Sequence, residues 1–503
     1  MRSKKAIINI ISSLLLQVVM VISNLIVPIF IIKSFGSNVN GLVTSITQFL
    51  AYITLLESGF GPVVKSILYK PIANKNREEI KKILKASERF FRIISYIFIA
   101  YIVVLCIGLP LIVSKEFNSF YTLSLVVIIS ISTFAEYYFG MTYKLYLQAE
   151  QRTYVTSFIQ IGTTILNTIM IVILIYFGQS IQVVKLASAI IFIARPILQN
   201  IYVKKKFNIN LNDTKSDYKI KQKWDGLAQH IAAVIHNNTD VVVLTLFTNT
   251  VEVSVYSVYL LIVNGIKSVI QAFTGGVDAS FGDMIAKGEK EILNRSFKNY
   301  ELFYFTIATI IFSVTLIMIL PFIRVYTQGI TDADYYRPVF AFLIVLAEFM
   351  WTIRLPYSSI TLAAGHFKET MKGAWLESII NIVLSVLLVF KFGIIGVAIG
   401  TLVAMAIRTV EFVYHTNKYI LERKQIESII RFLVISVQII VIILLSKLLP
   451  VYEFTNYFIW IKYACIVSVL VMLIVVPINA LLYKNEVKGL LNILKVNFVK
   501  IKE

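Results

Sequence analysis

The sequence predicts an all-α, polytopic membrane protein with about fourteen transmembrane helices, arranged as two parallel six-helix repeats followed by a C-terminal pair. Two observations carry this prediction. Of the 503 residues, 58% are hydrophobic and only 15% are charged, an apolar excess over soluble domains. Long apolar runs also follow one another along the whole chain, and the longest connection, residues 204–225, has the composition of a linker. Little chain is left for a soluble domain.

Each predicted span is a run of about 20 mostly apolar residues, enough to cross the hydrocarbon core as a helix. The runs are residues 7–32, 40–64, 93–114, 121–143, 154–177, 180–203, 228–248, 253–282, 300–323, 338–363, 374–392, 394–416, 428–449 and 457–483. The first is interpreted as a retained span, because it is too long for a signal-peptide core and no small-residue cleavage site follows it.

The positive charge follows the predicted topology. The net charge is +20, and most of the 48 Lys and Arg fall in connections on the side of the N-terminus. Because positive residues mark the cytoplasmic side, both termini are expected in the cytoplasm, with the basic segments near anionic lipid headgroups and no nucleic acid as partner. Cys106 and Cys465 lie in apolar runs and predict neither a disulfide nor a metal site.

An internal repeat divides the chain. Moving the sequence by about 213 residues aligns several stretches in order, including "TILNTIMIVILIYFG" with "SIINIVLSVLLVFKFG", where Asn167 meets Asn381. The expected domains are a six-helix bundle at 1–215, a second at 216–425, and the final helix pair with its tail at 426–503. An even number of spans gives both copies the same orientation, as in secondary transporters that bind substrate between two halves.

The second span of each copy carries polar residues at helical spacing. In the first copy these are Thr54, Ser58, Gly61 and Lys65, with Glu57 at the edge, and in the second they are Lys267, Gln271, Thr274 and Asp278. A polar face is costly in lipid, so it is expected either to line a cavity or to contact another helix. Gly59, Gly61 and Pro62, and residues 274–276, mark places where the helix can bend or pack closely.

Several charged residues at membrane depth are candidates for substrate binding. They are Lys65, Lys267, Arg354, Glu57, Asp278 and the symmetric pair Glu136 and Glu348, together with the polar Gln271. A Lys offers a phosphate a point charge and an Arg a bidentate fork, although each could instead neutralise a carboxylate. Three further groups are expected to extend towards the membrane interfaces, namely Arg195, Arg408 and Glu411.

Asp240 is the candidate for ion coupling. His236 lies one turn before it, Asn237 follows His236, and together they offer carboxylate and neutral ligands to Na⁺ or H⁺. The alternative is a hydrogen-bonded turn at the start of the seventh span. The scattered histidines show no metal-ligand spacing and there is no phosphate-binding loop, so neither an enzyme nor a cofactor is expected beyond the coupling ion.

Four stretches resemble a known family. They are "LLESGFGPVVKSILYKPIANKNREEIKKIL", "YLQAEQRTYV", "NNTDVVVLTLF" with "VYSVY" after it, and "AAGHFKET". They resemble the Wzx-type polysaccharide flippases, which belong with MATE antiporters and lipid II flippases to the multidrug/oligosaccharidyl-lipid/polysaccharide exporter (MOP) superfamily. The resemblance implies a MATE-like fold and a flippase that moves undecaprenyl-pyrophosphate-linked oligosaccharide repeat units across the bacterial cytoplasmic membrane, for capsule, O-antigen or a related polymer.

The resemblance also implies partners and alternatives. The implied partners are the lipid-linked oligosaccharide, membrane lipids, and the polysaccharide polymerase and glycosyltransferases of the pathway. The first span, residues 7–32, lacks the arginines reported for lipid II flippases, which argues against lipid II as substrate. The alternative is a MATE-like ion-coupled multidrug or metabolite antiporter, which would favour an acidic and aromatic cavity with little fixed positive charge.

The coupling hypothesis predicts that Asp240→Asn reduces ion-dependent transport, because the amide cannot carry the charge that pairs with Na⁺ or H⁺. The measurement is uptake into membrane vesicles with and without an imposed ion gradient. Unchanged ion dependence would assign Asp240 a structural role.

Overall fold

The computed structural model describes residues 2–57, 59–211, 218, 220, 227–271, 277–450 and 452–490. Within these ranges all regular structure is helical. Thirteen helices of the described part of the chain are long and apolar enough to cross a membrane. The prediction of an all-α, multi-pass membrane protein is therefore confirmed.

The chain forms two compact units, Met1–Leu261 and Ile262–Glu503. Helices of the first unit are α1 (Arg2–Phe35), α2 (Ser37–Ala51), α3 (Thr54–Glu57), α4 (Phe60–Ala73), α5 (Arg77–Ile112), α6 (Ser119–Ala135), a π-helical turn (Glu136–Gly140), α7 (Met141–Ala149), α8 (Thr153–Tyr176), α9 (Ile181–Phe207) and α10 (Leu227–Phe247). The helix α11 (Thr250–Gln271) crosses the boundary between the units. The second unit continues with α12 (Val277–Ala286), α13 (Lys290–Tyr326), α14 (Pro338–Ala363), α15 (Met371–Phe392), α16 (Ile394–Tyr419), α17 (Gln425–Ser446) and α18 (Tyr457–Leu482).

Side-chain caps fix where several long helices begin. Asn76, Asn118, Ser180 and Asn456 each accept a backbone N–H from the first turn of the helix that follows. Such caps satisfy donors that have no partner inside the helix. The helix boundaries therefore follow local sequence chemistry as well as hydropathy.

The predicted second span, residues 40–64, is not one continuous helix. It is broken into α2, α3 and α4, and Gly59 has φ of +79°, a left-handed conformation that glycine adopts without strain. Pro62 lies in the first turn of α4, where its missing N–H removes no helical hydrogen bond. Of the two alternatives for Gly59, bending and close packing, the structure shows a bend, and the continuous polar face from Thr54 to Lys65 is wrong because α3 and α4 are separate helices.

In the second copy, α11 ends at Gln271 and α12 begins at Val277. Residues 274–276 and the side chain of Asp278, both named in the prediction, lie outside the described residues, as does Ser58 in the first copy. The predicted seventh span is α10, which is not among the thirteen apolar helices. Its polar residues, His236 to Asp240, lower its hydropathy.

The two compact units are defined by which helices pack together, whereas the predicted domains are defined by the sequence repeat. The helix α10 and most of α11 belong to the unit that contains α2, and α10 packs against α2. The boundaries at 215 and 425 are not tested by this division and stay a prediction.

The contact between α2 and the start of α11 is very close. A Cβ on Gly41 would lie 1.7 Å from the carbonyl oxygen of Thr250. Beside it, Asn40 Nδ2 donates to Ser254 Oγ at 2.8 Å, and the Thr250 backbone N–H donates to Glu116 Oε2 at 3.1 Å. Small and polar residues let helix backbones approach in this way within a membrane.

Gly41→Ala is expected to destabilise the protein by about 1–3 kcal/mol or more, because the added methyl group overlaps the Thr250 carbonyl. The matched control is Gly162→Ala in α8, where no atom lies within 4 Å of the new Cβ. The control should be neutral or stabilising by up to about 1 kcal/mol, since alanine favours helix. Thermal unfolding of the purified variants in detergent measures both, and equal midpoints would contradict the close approach.

Candidate functional site

A polar cavity of about 490 Å³ lies inside the first compact unit. Its walls come from α1, α2, α3, α6, the π-helical turn, α7, α8 and α9. Four charged side chains line it, namely Glu57, Glu136, Lys144 and Lys185. Charged groups at membrane depth are costly unless they are paired or hydrated, so this cavity is a candidate functional site.

The π-helical turn places two of the lining residues, Glu136 and Tyr137. At the end of this turn Gly140 lies against α9, and a Cβ there would be 2.8 Å from Pro196 Cβ. The Glu136 carboxylate pairs with Lys144 Nζ at 2.8 Å, and both side chains remain partly exposed, at 40% and 26%. Single π-helical turns within α-helices occur often at functional sites, because they redirect side chains.

Glu57 and Asn167 bring unsatisfied acceptors to the cavity. Glu57 is the last residue of α3, and its carboxyl group interacts with the Tyr137 hydroxyl and with the charge of Lys144. Its Oε2 is nevertheless buried without a hydrogen-bond donor among the described residues, and so is Oδ1 of Asn167 on α8, a residue only 7% exposed. Buried polar atoms without partners are rare and call for an explanation.

Lys185 supplies an ammonium group to the same cavity. It lies near the start of α9 and its side chain is half-buried. In the described ranges no carboxylate lies within ion-pair distance of it, and no charged neighbour influences it. In the sequence Lys185 is one of several ionisable residues in apolar runs, and its neighbours do not mark it as a substrate or ion ligand.

Two of the three predicted phosphate-binding cations in the spans are already neutralised within the second unit. Lys267 Nζ lies 2.7 Å from Glu348 Oε2 and 4.2 Å from the centroid of the Trp351 ring. Arg354 Nη1 donates to Glu377 Oε1 at 2.7 Å. The structure therefore supports the second alternative for Lys267 and Arg354, which is that they neutralise carboxylates. A buried charge is costly without a partner.

Arg408 does not extend to the protein surface, and its depth in the membrane stays a prediction. Arg408 is 4% exposed, its Nε lies 3.7 Å from Glu377, and it also pairs with Glu411. Its Nη1 donates to the Thr370 carbonyl at 2.8 Å. The side chain therefore crosslinks α15 and α16.

Arg195 also has partners inside the helix bundle. It donates to Thr163 Oγ1 at 2.8 Å and to Thr164 Oγ1 at 2.9 Å, both on α8. It therefore links α9 to α8.

The remaining predicted residues occupy different places. Lys65 is half-buried on α4 and has no ion pair among the described residues. Gln271 is exposed at the end of α11. Glu348 is the predicted symmetric counterpart of Glu136, and it also pairs with a lysine. The partner of Glu136 is Lys144 on the helix that directly follows it, whereas the partner of Glu348 is Lys267 on α11, so the two pairs are not equivalent.

Asp240 is buried at 6% exposure and accepts a hydrogen bond from the Tyr256 hydroxyl at 2.6 Å. It lies inside α10 and not in a turn, and it has the hydrogen bonding that the structural alternative expects, while ion coupling stays a prediction. His236, one helical turn earlier, is also buried, at 7% exposure. Asn237 is exposed and does not share this buried face, because the next residue of a helix points about 100° away.

A second charged cluster was missed by the sequence analysis. Glu301 on α13 is fully buried and accepts two hydrogen bonds from Arg423, at 2.8 and 3.0 Å, and an ion pair from Arg431 at 3.3 Å. The Tyr357 hydroxyl also donates to it. Burial alone would lower the pKa of Arg423, but the hydrogen bonds and negative charge of Glu301 hold this pKa above its ordinary value. This cluster ties α13, α14 and α17 together.

The second unit also contains an apolar groove of about 480 Å³. It lies between α14, α16 and α17, and its residues include Phe349, Ile353, Val410, Ile429 and Phe432. Within a membrane such a groove can hold a hydrocarbon chain without burying a polar group.

Comparisons with solved structures identify the fold. No protein-family model and no curated protein matches the sequence. A structure of the lipid II flippase MurJ in an inward closed conformation matches with a TM-score of 0.68 at 16% identity, covering 96% of this chain and 100% of that chain. An inward-facing multidrug resistance MATE family transporter of the MOP superfamily matches with a TM-score of 0.67 at 12% identity, covering 80% and 94%.

A MOP superfamily transporter from Pyrococcus furiosus, reported to have a binding pocket of reverse polarity, matches with a TM-score of 0.53 at 13% identity, over 84% of this chain and 97% of that one. These likenesses show that the chain has the fold of MOP-superfamily transporters.

Lys267→Ala is expected to destabilise the second unit by about 3–5 kcal/mol, because it leaves Glu348 buried without its counter-ion. The double variant Lys267→Met/Glu348→Gln should recover most of this loss, since it removes both charges. Thermal unfolding in detergent provides the comparison. Wild-type stability in the single variant would mean that Lys267 is not committed to Glu348 and is available to a ligand.

Proposed function

We propose that this chain, which has the fold of MOP-superfamily transporters, is a flippase for undecaprenyl-pyrophosphate-linked oligosaccharide repeat units. It moves them by alternating access across the bacterial cytoplasmic membrane for capsule, O-antigen or a related surface polysaccharide. Both termini are cytoplasmic in this proposal, and the pathway's polymerase and glycosyltransferases are its partners.

The extent of the structural likeness carries the proposal. The lipid II flippase covers 96% of this chain, whereas the MATE transporter covers 80%. The additional part of this chain that the flippase covers is about as long as α17, α18 and the tail after them. The likeness thus favours a transporter of lipid-linked saccharides over a drug antiporter of the shorter form.

The distribution of charge supports a phosphate-bearing substrate. Of the three cations predicted for phosphate binding, Lys267 and Arg354 are paired, whereas Lys65 has no carboxylate partner among the described residues. Lys65 follows the bend at Gly59, so it lies just beyond the segment that carries Glu57. In the proposal Lys65 contacts the pyrophosphate as a point charge.

The apolar groove supports the lipid part of the substrate. A polyprenyl chain is entirely hydrocarbon, so it is stabilised in lipid or against apolar side chains such as Phe349 and Phe432. Coupling to Na⁺ or H⁺ is proposed at Asp240, whose carboxylate is buried beside the Tyr256 hydroxyl.

The test is transport in proteoliposomes containing an undecaprenyl-pyrophosphate-linked oligosaccharide. Translocation is measured as the rate at which the sugar becomes accessible to an impermeant glycosidase. Lys65→Met is expected to slow translocation about tenfold or more, because the variant loses one charge-assisted contact of about 1.5–3 kcal/mol. Lys70→Met, on the same helix but exposed, is the matched control and should transport at the wild-type rate.

Two results would contradict the proposal in different ways. Wild-type transport by Lys65→Met would remove Lys65 from the site and leave the function intact. Ion-driven efflux of an organic cation, with no movement of the lipid-linked oligosaccharide, would replace the function by a MATE-like ion-coupled antiporter.

A further inference from the structure

Three polar groups on side chains that line the cavity of the first unit have no partner among the described residues. They are Oε2 of Glu57, Oδ1 of Asn167 and the ammonium of Lys185, contributed by α3, α8 and α9. Two are acceptors and one is a donor. Leaving buried acceptors unsatisfied is costly, so an occupant of the cavity that reached these groups would be stabilised by them.

The mixed charge of the cavity disfavours a simple ion. A metal cation would face Lys144 and Lys185, and the described residues contain no cluster of three or more metal-binding side chains. A pyrophosphate would face Glu57 and Glu136. Like charges at short range are repulsive in a medium of low dielectric constant. An uncharged ligand that both donates and accepts hydrogen bonds fits better.

The rest of the lining suits a polyhydroxylated ring. Side-chain hydroxyls surround the cavity, from Thr47, Thr54, Ser132, Thr133 and Ser188. Tyr137 and Phe192 add aromatic rings, against which the apolar C–H face of a sugar can pack. The volume of about 490 Å³ is within the range of about 300–1,000 Å³ that is usual for small-molecule sites.

We propose that this cavity binds an uncharged pyranose of the oligosaccharide headgroup. Glu57 and Asn167 accept hydrogen bonds from sugar hydroxyl or acetamido N–H groups, and Lys185 donates to a ring or hydroxyl oxygen. This assignment rests on the proposed function, since it takes the sugar from the same substrate. It separates recognition of the sugar in this cavity from contact with the pyrophosphate at Lys65.

The experiment measures protection of a cysteine placed in the cavity wall. Thr133→Cys is introduced into the full chain with Cys106→Ser and Cys465→Ser, and its labelling by a small thiol reagent is followed in detergent. The probes are glucose, galactose, N-acetylglucosamine, N-acetylgalactosamine and rhamnose, each at about 50 mM, with inorganic pyrophosphate as the anionic probe. Ser119→Cys, exposed at the start of the same helix, is the matched control.

At least one sugar is expected to slow labelling of Thr133→Cys about threefold or more, which corresponds to a dissociation constant of about 25 mM or tighter. Labelling of Ser119→Cys should not change. Protection should be lost in Lys185→Met and in Asn167→Leu, each made in the Thr133→Cys background. Two such variants guard against one that does not fold.

Protection by pyrophosphate instead of sugars would make the cavity an anion site, and protection by neither would make it a water-filled space; both outcomes overturn the inference. Comparison with the proteoliposome assay separates the two proposals. Transport without sugar protection refutes the sugar site alone, whereas sugar protection without transport refutes the proposed flippase function.

Discussion

The cost of burying charge inside a helix bundle is the constraint on which the rest of this structure depends. A charged side chain in the hydrocarbon region must find a counter-ion, a set of hydrogen bonds or water. The second unit meets this requirement by pairing, as in Lys267 with Glu348 and Arg354 with Glu377. Glu301, which has no exposed surface, is held by Arg423 and other donors. These pairs fix helices against one another.

The first unit meets the same constraint differently. Four of its charges line a cavity, and among the described residues there only Glu136 and Lys144 form a close ion pair. Asn167 and Glu57 keep buried acceptors open, and Lys185 keeps an open donor. The units therefore differ in their membrane charges: the second pairs Lys267 and Arg354 with carboxylates, while the first leaves Lys185 beside a cavity without an ion pair among the described residues. This asymmetry suits the proposed substrate, whose sugar, pyrophosphate and lipid parts need different surroundings.

Two backbone irregularities border that cavity. The helix breaks after Glu57, with Gly59 in a left-handed conformation, and the π-helical turn begins at Glu136. Each interrupts the regular period of an α-helix and so changes the direction of the side chains beside it. Gly140 then lets the π-helical turn lie directly against Pro196 on α9. The backbone thus brings residues from separate helices to one space.

The sequence by itself determined the membrane class and the helical fold, and it marked Gly59 as a place for a bend or a close contact, because hydropathy, helix caps and glycine act through neighbouring residues. It also marked Glu57 and Glu136 as unusual, since a carboxylate in an apolar run is visible without coordinates. Only the tertiary structure decided which charges are free. The sequence predicts a substrate contact for Lys267 and none for Lys185, yet Lys267 meets Glu348 and Lys185 lies at an open cavity. The counter-ion of a buried charge comes from a helix that is distant in the sequence, so only the packing of the helices decides whether the two charges meet.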